Sequence, residues 1–420
     1  MAERRIPHVV IVGGGFAGLA AARALRKAPV EITLIDRTNH HVFQPLLDQV
    51  ATAAVSPGDI TAPIRWILRR QKNVRVLLGE VRGIDVRRRL VRLDVEPGEV
   101  EYDFLIVAAG ARHSYFGHPE WESLAPGLKT VPDALEIRNR FLSAFERAER
   151  STEPEERRDL LTFVVVGGGA TGVELAGVLP VIARKALARE YRVIDTRDTR
   201  VILLEGGPRV LPAFPKALAE AAHRYLEELG VEVRTNSLVT RLESGSVYVG
   251  EGRIGTRTVF WAAGNEASSL GRSLDSPLDE AGRVLVEPDL SISDHPEVFV
   301  VGDLAALRQD GNWIPWVAPA AIQEGAHAAG NILRELKGEP RTPFHYRDKG
   351  MLAMIGRHKA VAHFGSVRMS GTAVWFLWLF LHILYLVGFR NRLSVLLQWA
   401  YAYFTYQRGV RLITRQDPGP

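Results

Sequence analysis

Residues 10–22 read VIVGGGFAGLAAA, and residues 164–176 read VVVGGGATGVELA. In both stretches a run of branched apolar residues leads into a Gly-x-Gly-x-x-Gly loop and then into residues that favour a helix. The first glycine of such a loop allows a tight turn, the second lets the backbone approach a pyrophosphate, and the third lets the helix pack closely on the strand. The chain is therefore predicted to contain two dinucleotide-binding units. Their loop glycines are Gly13, Gly15 and Gly18 in the first unit and Gly167, Gly169 and Gly172 in the second.

A second strand with an acidic residue at its end follows each loop. The stretch EITLID (31–36) ends at Asp36, and the stretch RVILLE (200–205) ends at Glu205. An acid at this place binds the ribose hydroxyls of the nucleotide. Because Glu205 repels a 2′-phosphate, the second unit is expected to prefer NAD(H), although Arg209 nearby leaves NADP open. In the usual arrangement of such chains, FAD binds the first unit and the pyridine nucleotide binds the second.

Three further strands complete the two units. The stretches YDFLIVAAG (102–110) and TVFWAAG (258–264) each end in a small-residue turn, at Gly110 and Gly264. The stretch HPEVFVVGDLAAL (295–307) ends in Gly302-Asp303, where an acceptor for a ribityl hydroxyl is expected. The charged stretch 146–159 is interpreted as an exposed connection between the two units.

These patterns predict an α/β fold with two Rossmann-like dinucleotide-binding domains and a C-terminal, membrane-associated amphipathic helical segment. The FAD-binding domain is expected to be discontinuous, because the chain enters it, leaves for the NAD(H)-binding domain and then returns. The predicted boundaries are 1–115 with 283–345 for the FAD-binding domain, 116–282 for the NAD(H)-binding domain and 346–420 for the C-terminal membrane-anchoring region.

The composition of the 420 residues excludes several kinds of chemistry. The chain has no cysteine, so disulfides, thiolate metal sites, iron–sulfur clusters and any flavin–disulfide relay are excluded. The histidines are not spaced as metal ligands on one element, and no metal site is expected. The net charge of +5 fits a solvated surface, an anionic membrane or nucleic acid, and we expect no nucleic acid partner.

Several stretches together resemble the type II (single-subunit, non-proton-pumping) NADH:quinone oxidoreductase family. The glycine loops are shared with all two-dinucleotide flavoproteins, whereas the other stretches are more specific. The resemblance implies non-covalent FAD, NADH as the donor, a membrane quinone as the acceptor and a homodimer on the membrane surface. The matching stretches are IVGGGFAGL, NHHVFQPLLDQVATA (39–53), LIVAAGA, VVVGGGATGVELAG, VFVVGDLA, APAAIQEGAHAAGNI (318–332) and KGMLAMIGRHKAVA (349–362).

The resemblance also implies roles for individual residues. Glu174 would face the nicotinamide and flavin rings and, with Gln323, carry the catalytic roles. Gln44 and Pro45 would lie beside the flavin, and the quinone would contact Leu46, Ala320 and Gln323. The chain departs from the family pattern at two places: Pro319 follows Ala318 where the family has Ala-Gln, and Asp48 stands where the family often has Tyr.

The C-terminal part combines an apolar run with arginines. Residues 371–389 (GTAVWFLWLFLHILYLVGF) are about long enough to span a bilayer, and residues 390–415 alternate apolar, aromatic and arginine residues. This composition favours a helix that lies in the membrane interface with its arginines on anionic lipid. A true membrane span and a soluble core or dimer contact are the alternatives. The arginines are Arg390, Arg392, Arg408, Arg411 and Arg415.

The sequence thus predicts a peripheral membrane flavoenzyme that passes hydride from NADH to FAD and two electrons to a quinone. The absence of a signal peptide favours the cytoplasmic side of the cell membrane. The alternatives are an NADH-sensing flavoprotein and an NADH-dependent reductase with a protein electron acceptor.

Overall fold

The computed structural model describes residues 5–414, and these pack into two compact units. Unit 1 comprises the described part of Met1–Val42 together with Ala62–Arg112 and Asn265–Lys349. Unit 2 comprises Phe43–Thr61, His113–Gly264 and the described part of Gly350–Pro420. Packing does not identify a ligand, so the domain boundaries given above stay a prediction.

The α-helices are numbered along the chain. They are α1 (Phe16–Ala24), α2 (Leu47–Ala51), α3 (Pro57–Ile60), α4 (Ile64–Leu68), α5 (Trp121–Leu124), α6 (Val131–Arg150), α7 (Pro154–Leu160), α8 (Ala170–Val181), α9 (Lys216–Glu228), α10 (Ala318–Leu336), α11 (Thr372–Tyr385) and α12 (Phe389–Thr405).

Unit 1 is built on one large sheet. Four parallel pairings hold its centre together, and Val12 lies opposite both Ile35 and Val107. The central residues of its inner strands are apolar and buried, because both faces of the sheet are covered. Helices α1 and α10 pack against each other in this unit. The strand order is Ser291–Ile292, His295–Val300, Phe104–Val107, His8–Val12, Glu31–Asp36 and Val74–Leu78.

Unit 2 repeats the parallel arrangement on a smaller scale. Its sheet has the strand order Val231–Arg234, Arg200–Leu204, Thr162–Val166 and Thr258–Trp261. Val166 lies opposite both Leu204 and Trp261, as Val12 does in unit 1. In each of the two parallel sheets, a central strand leads directly into a glycine loop. This arrangement confirms the predicted α/β class with two Rossmann-like sheets.

Antiparallel sheets and short strands supplement the two parallel sheets. The antiparallel sheets contain Val81–Asp85 with Leu90–Leu93 and Glu99–Glu101, Val239–Glu243 with Ser246–Val249 and Gly252–Gly255, and Met351–Gly356 with Lys359–Phe364 and Val367–Ser370. The short strands are His40–Val42, Thr61–Pro63, Ala111–His113, Asn265–Ala267, Val284–Leu285, Ala305–Ala306, Arg308–Gln309 and Asn312–Trp313.

The interpretation of residues 146–159 as an exposed connection between units is wrong. Helix α6 continues to Arg150 and α7 begins at Pro154, so only three residues separate them. Both helices lie inside unit 2. The charges misled the prediction because they occupy the solvent face of an amphipathic helix whose other face packs inward.

The apolar run 371–389 forms two elements. Helix α11 ends at Tyr385, Leu386 is extended, and Gly388 has a φ of +91° before α12 begins. Within residues 5–414, no helix is both long and apolar enough to cross a membrane. Helix α12 ends at Thr405, so the residues after it do not continue the expected interfacial helix.

Candidate functional site

The first glycine loop has the geometry that a pyrophosphate needs. Gly13 has a φ of +104°, and a Cβ on Gly18 would lie 1.8 Å from the Gly13 carbonyl oxygen, so neither position accepts a side chain. A Cβ on Gly15 would meet nothing within 4 Å, which leaves room at the start of α1. Backbone N–H groups and the helix dipole favour an anion there. The residues of this loop therefore fit a dinucleotide.

Asp36 stands at the end of the second strand, beside this loop. Its Oδ2 accepts a hydrogen bond from the Gly14 amide at 2.6 Å, and its Oδ1 accepts from the Thr38 amide at 2.7 Å. The Asp36 carboxylate thus fixes the conformation of the first glycine loop. It also lies where the ribose of a bound dinucleotide is expected. His41 is buried behind the loop with its Nδ1 3.2 Å from the Gly14 carbonyl, and burial lowers its pKa to about 4. A structural role fits this histidine.

The strands that end at Gly110 and at Gly302-Asp303 belong to the same unit. Both glycines have positive φ, +67° and +71°. A Cβ on Gly302 would lie 3.4 Å from Ala17 Cβ and 3.5 Å from Ala321 Cβ, so this turn fits between α1 and α10. The structure therefore brings the Gly302-Asp303 turn, α1 and α10 together in unit 1.

Glu324 is a residue of this site that the sequence analysis missed. It is buried on α10, and its Oε2 accepts a hydrogen bond from the Gly302 amide at 2.5 Å. Burial raises the pKa of Glu324 to about 8, and the Asp303 carboxylate adds to the increase. The sequence signal that could have identified Glu324 as a buried residue is its position. It directly follows Gln323 and lies at helical spacing from Ala320 and Ala328, which are also buried.

The second glycine loop repeats the first in unit 2. Gly167 has a φ of +107°, a Cβ on Gly172 would lie 1.8 Å from the Gly167 carbonyl oxygen, and a Cβ on Gly169 would meet nothing within 4 Å. Glu205 accepts hydrogen bonds from the Gly168 and Gly207 amides, each at 2.6 Å. This loop also fits a dinucleotide, with Glu205 where the ribose is expected.

Two further residues bear on nucleotide binding in unit 2. Arg209, which leaves NADP open, donates through its Nη2 to the Pro212 carbonyl at 2.9 Å. Gly264 has a φ of +73°, and a Cβ there would lie 2.6 Å from the Phe116 ring. Glycine is therefore required at position 264 for two reasons: the backbone has a positive φ, and the Phe116 ring leaves no space for a side chain.

Glu174 lies in the first turns of α8 and is partly accessible. Its Oε1 accepts a hydrogen bond from the Met354 amide at 3.2 Å, and the Trp378 indole donates to the same carboxyl. Burial raises the pKa of Glu174 well above its ordinary value, and the Asp48 carboxylate raises it further. The raised pKa favours the protonated form of the Glu174 carboxyl, which can donate a hydrogen bond.

The stretch 43–61 lies in unit 2. Gln44–Leu46 form a single 3₁₀ turn that leads into α2. The Gln44 side chain is exposed and donates to the Lys129 carbonyl at 3.3 Å, whereas Leu46 is fully buried. Pro45 is partly exposed between them. The roles of these three residues toward flavin and quinone stay predictions.

Gln323 and Ala320 lie near the start of α10 in unit 1. Pro319 occupies the first turn, where a missing N–H costs nothing. The Gln323 side chain donates to the carbonyls of Pro319 and Arg347, each at 3.0 Å, and accepts from the Arg347 amide at 3.0 Å. Ala320 is 2% exposed. A quinone at Gln323 has to compete with these backbone partners, and its binding there stays a prediction.

Helices α11 and α12 each carry an apolar stripe that faces away from the protein. The exposed side chains recur three or four positions apart, which is the repeat of one helix face. Asn391 and Val395 on α12 point inward instead. The stripes consist of Phe376, Phe380, Leu384 and Tyr385 on α11, and of Phe389, Leu393, Leu396, Leu397, Tyr401 and Phe404 on α12.

The expectation that all the C-terminal arginines face lipid is wrong for two of them. Arg408 donates to the Thr52 carbonyl and hydroxyl, and Arg411 pairs with Glu190, so both point into unit 2. Arg390 and Arg392 are exposed beside the apolar stripe of α12. Arg415 lies outside the described residues. The chain turns back after Thr405, and this reversal cannot be seen in the arginine pattern.

Comparisons with known proteins agree with this geometry. Residues 7–325 match the family model described as pyridine nucleotide-disulphide oxidoreductase, and residues 349–406 match the model described as NDH2 C-terminal domain. The type II NADH:quinone oxidoreductase NdhA of Mycobacterium tuberculosis is 48% identical over 97% of this chain and 90% of the relative. The type II NADH:quinone oxidoreductase Ndh of the same organism is 46% identical over 98% of this chain and 91% of the relative.

Solved structures show the same fold. The structure of NDH2 from Plasmodium falciparum in complex with NADH has a TM-score of 0.88 at 20% identity, and it covers 97% of this chain and 100% of that one. The sulfide:quinone oxidoreductase of Aquifex aeolicus has a TM-score of 0.74 at 19% identity and covers 92% of both chains. The family models and the two relatives place the chain: it belongs to the pyridine nucleotide-disulphide oxidoreductases and, within them, to the type II NADH:quinone oxidoreductase family.

Proposed function

We propose that this chain oxidises NADH and reduces a membrane quinone through FAD, by a two-electron cycle that pumps no protons. The observation that carries the proposal is the pair of glycine loops, each with an acid at its strand end, joined to a C-terminal part of the NDH2 type. One dinucleotide site would hold the electron carrier and the other the donor.

The cofactors are FAD and NADH. FAD, when bound, supplies the carrier that accepts a hydride and releases two electrons. In unit 1, Asp36 would hold the adenosine ribose, the start of α1 the pyrophosphate and Asp303 the ribityl chain. In unit 2, Glu205 would hold the ribose of NADH and disfavour a 2′-phosphate.

Glu174 would orient the nicotinamide. Its protonated form, which the raised pKa favours, can donate a hydrogen bond to the carboxamide oxygen without placing a second negative charge near the reduced carrier. Gln323 would orient the quinone headgroup, with Leu46 and Ala320 as apolar contacts.

The chain is proposed to act as a peripheral protein on the cytoplasmic face of the membrane. The apolar stripes of α11 and α12 support this, since a membrane interface accepts exposed Phe, Leu and Tyr side chains beside arginines. A quinone dissolved in the bilayer would then reach its site without crossing water. A homodimer is proposed on the family resemblance, and sedimentation of the detergent-solubilised protein tests it.

Turnover of purified holoenzyme in lipid vesicles tests the proposal. NADH added outside should be oxidised only when a quinone is present, in a ratio of one to one, and no membrane potential should develop. Quinone-independent oxidation would point to a protein acceptor. Stable NADH-reduced protein that no quinone reoxidises would point to a sensor, and a membrane potential would exclude the non-pumping cycle.

A further inference from the structure

Helix α12 has a polar inner face on the side away from its exposed apolar stripe. Asn391, Ser394 and Gln398 are three and four positions apart, which places them on one face together with the fully buried Val395. Asn391 is only 8% exposed although its side chain is an amide. Buried amides and hydroxyls need hydrogen-bond partners, so the element under this face has to supply them.

The polar face packs on α3, which carries Asp59. The Ser394 hydroxyl donates to Asp59 Oδ1 at 2.7 Å, and the Gln398 side-chain amide donates to Asp59 Oδ2 at 2.9 Å. The Asn391 side-chain amide donates to the carbonyl of Thr61, directly after α3, at 2.9 Å. Three side chains of one helix face thus hold one end of the stretch 43–61.

Asp59 joins α12 to its own helix as well. Its Oδ2 also accepts a hydrogen bond from the Ser56 amide at 2.8 Å, as part of the capping box of α3. Burial raises the pKa of Asp59, but the hydrogen bonds from Ser394, Gln398 and Ser56 outweigh burial and leave the pKa below its ordinary value. The ionised carboxylate therefore accepts from α3 and from α12 at the same time.

The backbone connects Asp59 with the other end of the stretch. Ile60 directly follows Asp59, and its carbonyl accepts a hydrogen bond from the Phe43 amide at 2.8 Å. The Phe43 carbonyl in turn accepts from the Leu46 amide at 3.1 Å, at the 3₁₀ turn that begins with Gln44. The residues held by α12 are therefore bonded to the turn whose contacts with flavin and quinone are proposed above.

Two further contacts from the C-terminal part reach the same stretch. Arg408 Nη1 donates to the Thr52 carbonyl at 2.8 Å and to the Thr52 hydroxyl at 2.9 Å. The ring centroids of Phe43 and of His382 on α11 lie 6.2 Å apart in an edge-to-face arrangement. The stretch 43–61 is thus contacted by α11, by α12 and by the residues after α12.

We propose that Asp59 is a positioning residue through which α12 holds the stretch 43–61 in place for quinone reduction. This inference rests on the proposed function, in which the outer face of α12 contacts lipid and Leu46 contacts the quinone. The inner face of α12 then fixes the quinone contact relative to the membrane surface. Hydrogen bonds suit this task because they depend on direction, whereas apolar contacts are non-directional and allow sliding.

Hydrogen exchange of the holoenzyme tests the positioning without turnover. The double variant Ser394→Ala/Gln398→Leu removes both side-chain donors to the carboxylate and leaves the capping box of α3 unchanged. Amides of the stretch 43–61 should then exchange about fivefold faster or more, because the stretch opens more often. The matched control is Thr405→Ala, since this hydroxyl of α12 donates to the Tyr401 carbonyl and not to the stretch.

Exchange in Thr405→Ala should equal that of the wild type. Wild-type exchange of the stretch 43–61 in the double variant would overturn the inference, as would equally fast exchange in Thr405→Ala. If the double variant does not fold, Ser394→Ala provides the test, because it removes one donor and should raise the exchange of the same amides to a smaller extent.

Stopped-flow kinetics in phosphatidylglycerol-containing vesicles connect the contact to the reaction. Gln398→Glu places a second carboxylate against Asp59, so reoxidation of the reduced holoenzyme by a short-chain quinone should slow about tenfold. Bleaching of the flavin by NADH, which uses the second glycine loop, should keep its wild-type rate. Equal slowing of both steps would indicate general damage to the fold and would overturn the inference.

An exchange of donor and acceptor completes the test. When Asp59→Asn is added to Gln398→Glu, the amide introduced at position 59 can donate to the carboxylate introduced at position 398. Fast reoxidation should then return, and a failure to return would overturn the inference. A wild-type protein that no quinone reoxidises would contradict the proposed function, whereas wild-type reoxidation with an unchanged rate in Gln398→Glu would contradict only the role of Asp59.

Discussion

The Glu205 carboxylate accepts a hydrogen bond from the Gly168 amide at 2.6 Å, across the mouth of the second glycine loop. Asp36 makes the same contact with the Gly14 amide of the first loop, also at 2.6 Å. In both units the acid that would bind a ribose also fixes the loop that would bind the pyrophosphate. If the two acids bind the ribose as predicted, each of them links the shape of its loop to the identity of its nucleotide.

The first prediction concerns nucleotide preference. Glu205→Gln keeps an acceptor for the loop amide but removes the charge that repels a 2′-phosphate, so the preference for NADH over NADPH should fall about tenfold, or about 1.4 kcal/mol. The ratio of kcat/KM for the two nucleotides measures this. Glu251→Gln, at an exposed turn of the same unit, is the control and should keep the wild-type ratio. An unchanged ratio in Glu205→Gln would remove Glu205 from the nucleotide site.

The second prediction concerns the packing of α1 on α10. A Cβ on Gly325 would lie 2.1 Å from the Ala17 carbonyl oxygen, which is backbone and cannot move aside cheaply. Gly325→Ala should therefore destabilise the protein by about 2 kcal/mol and weaken FAD retention. Gly330→Ala on the same helix meets nothing within 4 Å and should be neutral or stabilising. Urea unfolding with flavin fluorescence compares the two, and equal unfolding midpoints would contradict the packing described here.

The third prediction concerns stability and pH. Glu324 has a pKa of about 8 in the folded protein, above its unfolded value of about 4.3, so the folded state binds this proton more tightly. The stability that this group contributes is complete below its unfolded pKa and is lost as the pH rises through its folded pKa. The free energy of unfolding should thus fall between about pH 5 and about pH 9 more in the wild type than in Glu324→Gln. Parallel pH curves would show that Glu324 does not hold its proton in the fold.

The fourth prediction concerns membrane binding. Phe389 and Phe404 are each 80% exposed at the two ends of α12. Replacing both with Ser should lower partitioning into phosphatidylglycerol-containing vesicles about tenfold, while NADH oxidation with a soluble acceptor stays unchanged. Leu238→Ser, which alters an exposed apolar residue elsewhere in unit 2, is the control. Wild-type partitioning of the double variant in a vesicle flotation assay would exclude α12 as the contact.

The sequence predicted the fold well where periodicity and loop chemistry agree. The strand Glu31–Asp36 has the predicted bounds, and the strand predicted to end at Glu205 stops one residue earlier, at Leu204. The stretch 146–159 was misread because charged residues on one helix face and charged residues in a loop have the same composition. Only the packing of the opposite face distinguishes the two.

The candidate site was predictable in part. The loop glycines, Asp36 and Glu205 follow from local motifs that fix backbone geometry. Glu324 did not follow, because a buried acid looks like any other acid in a sequence, and the contact of Arg408 with Thr52 did not follow either. Arg408 is far from Thr52 along the chain, and only the reversal after α12 brings the two together.

The most direct test of the central claim separates the two half-reactions in one experiment. Anaerobic holoenzyme is mixed with NADH and then with a short-chain quinone, while the absorbance of oxidised flavin is followed. The account predicts bleaching by NADH, fast recovery on quinone addition, and a slower recovery without slower bleaching in Gln323→Leu. Bleaching that no quinone reverses in the wild type would contradict the quinone reductase assignment and favour a protein acceptor or a sensor.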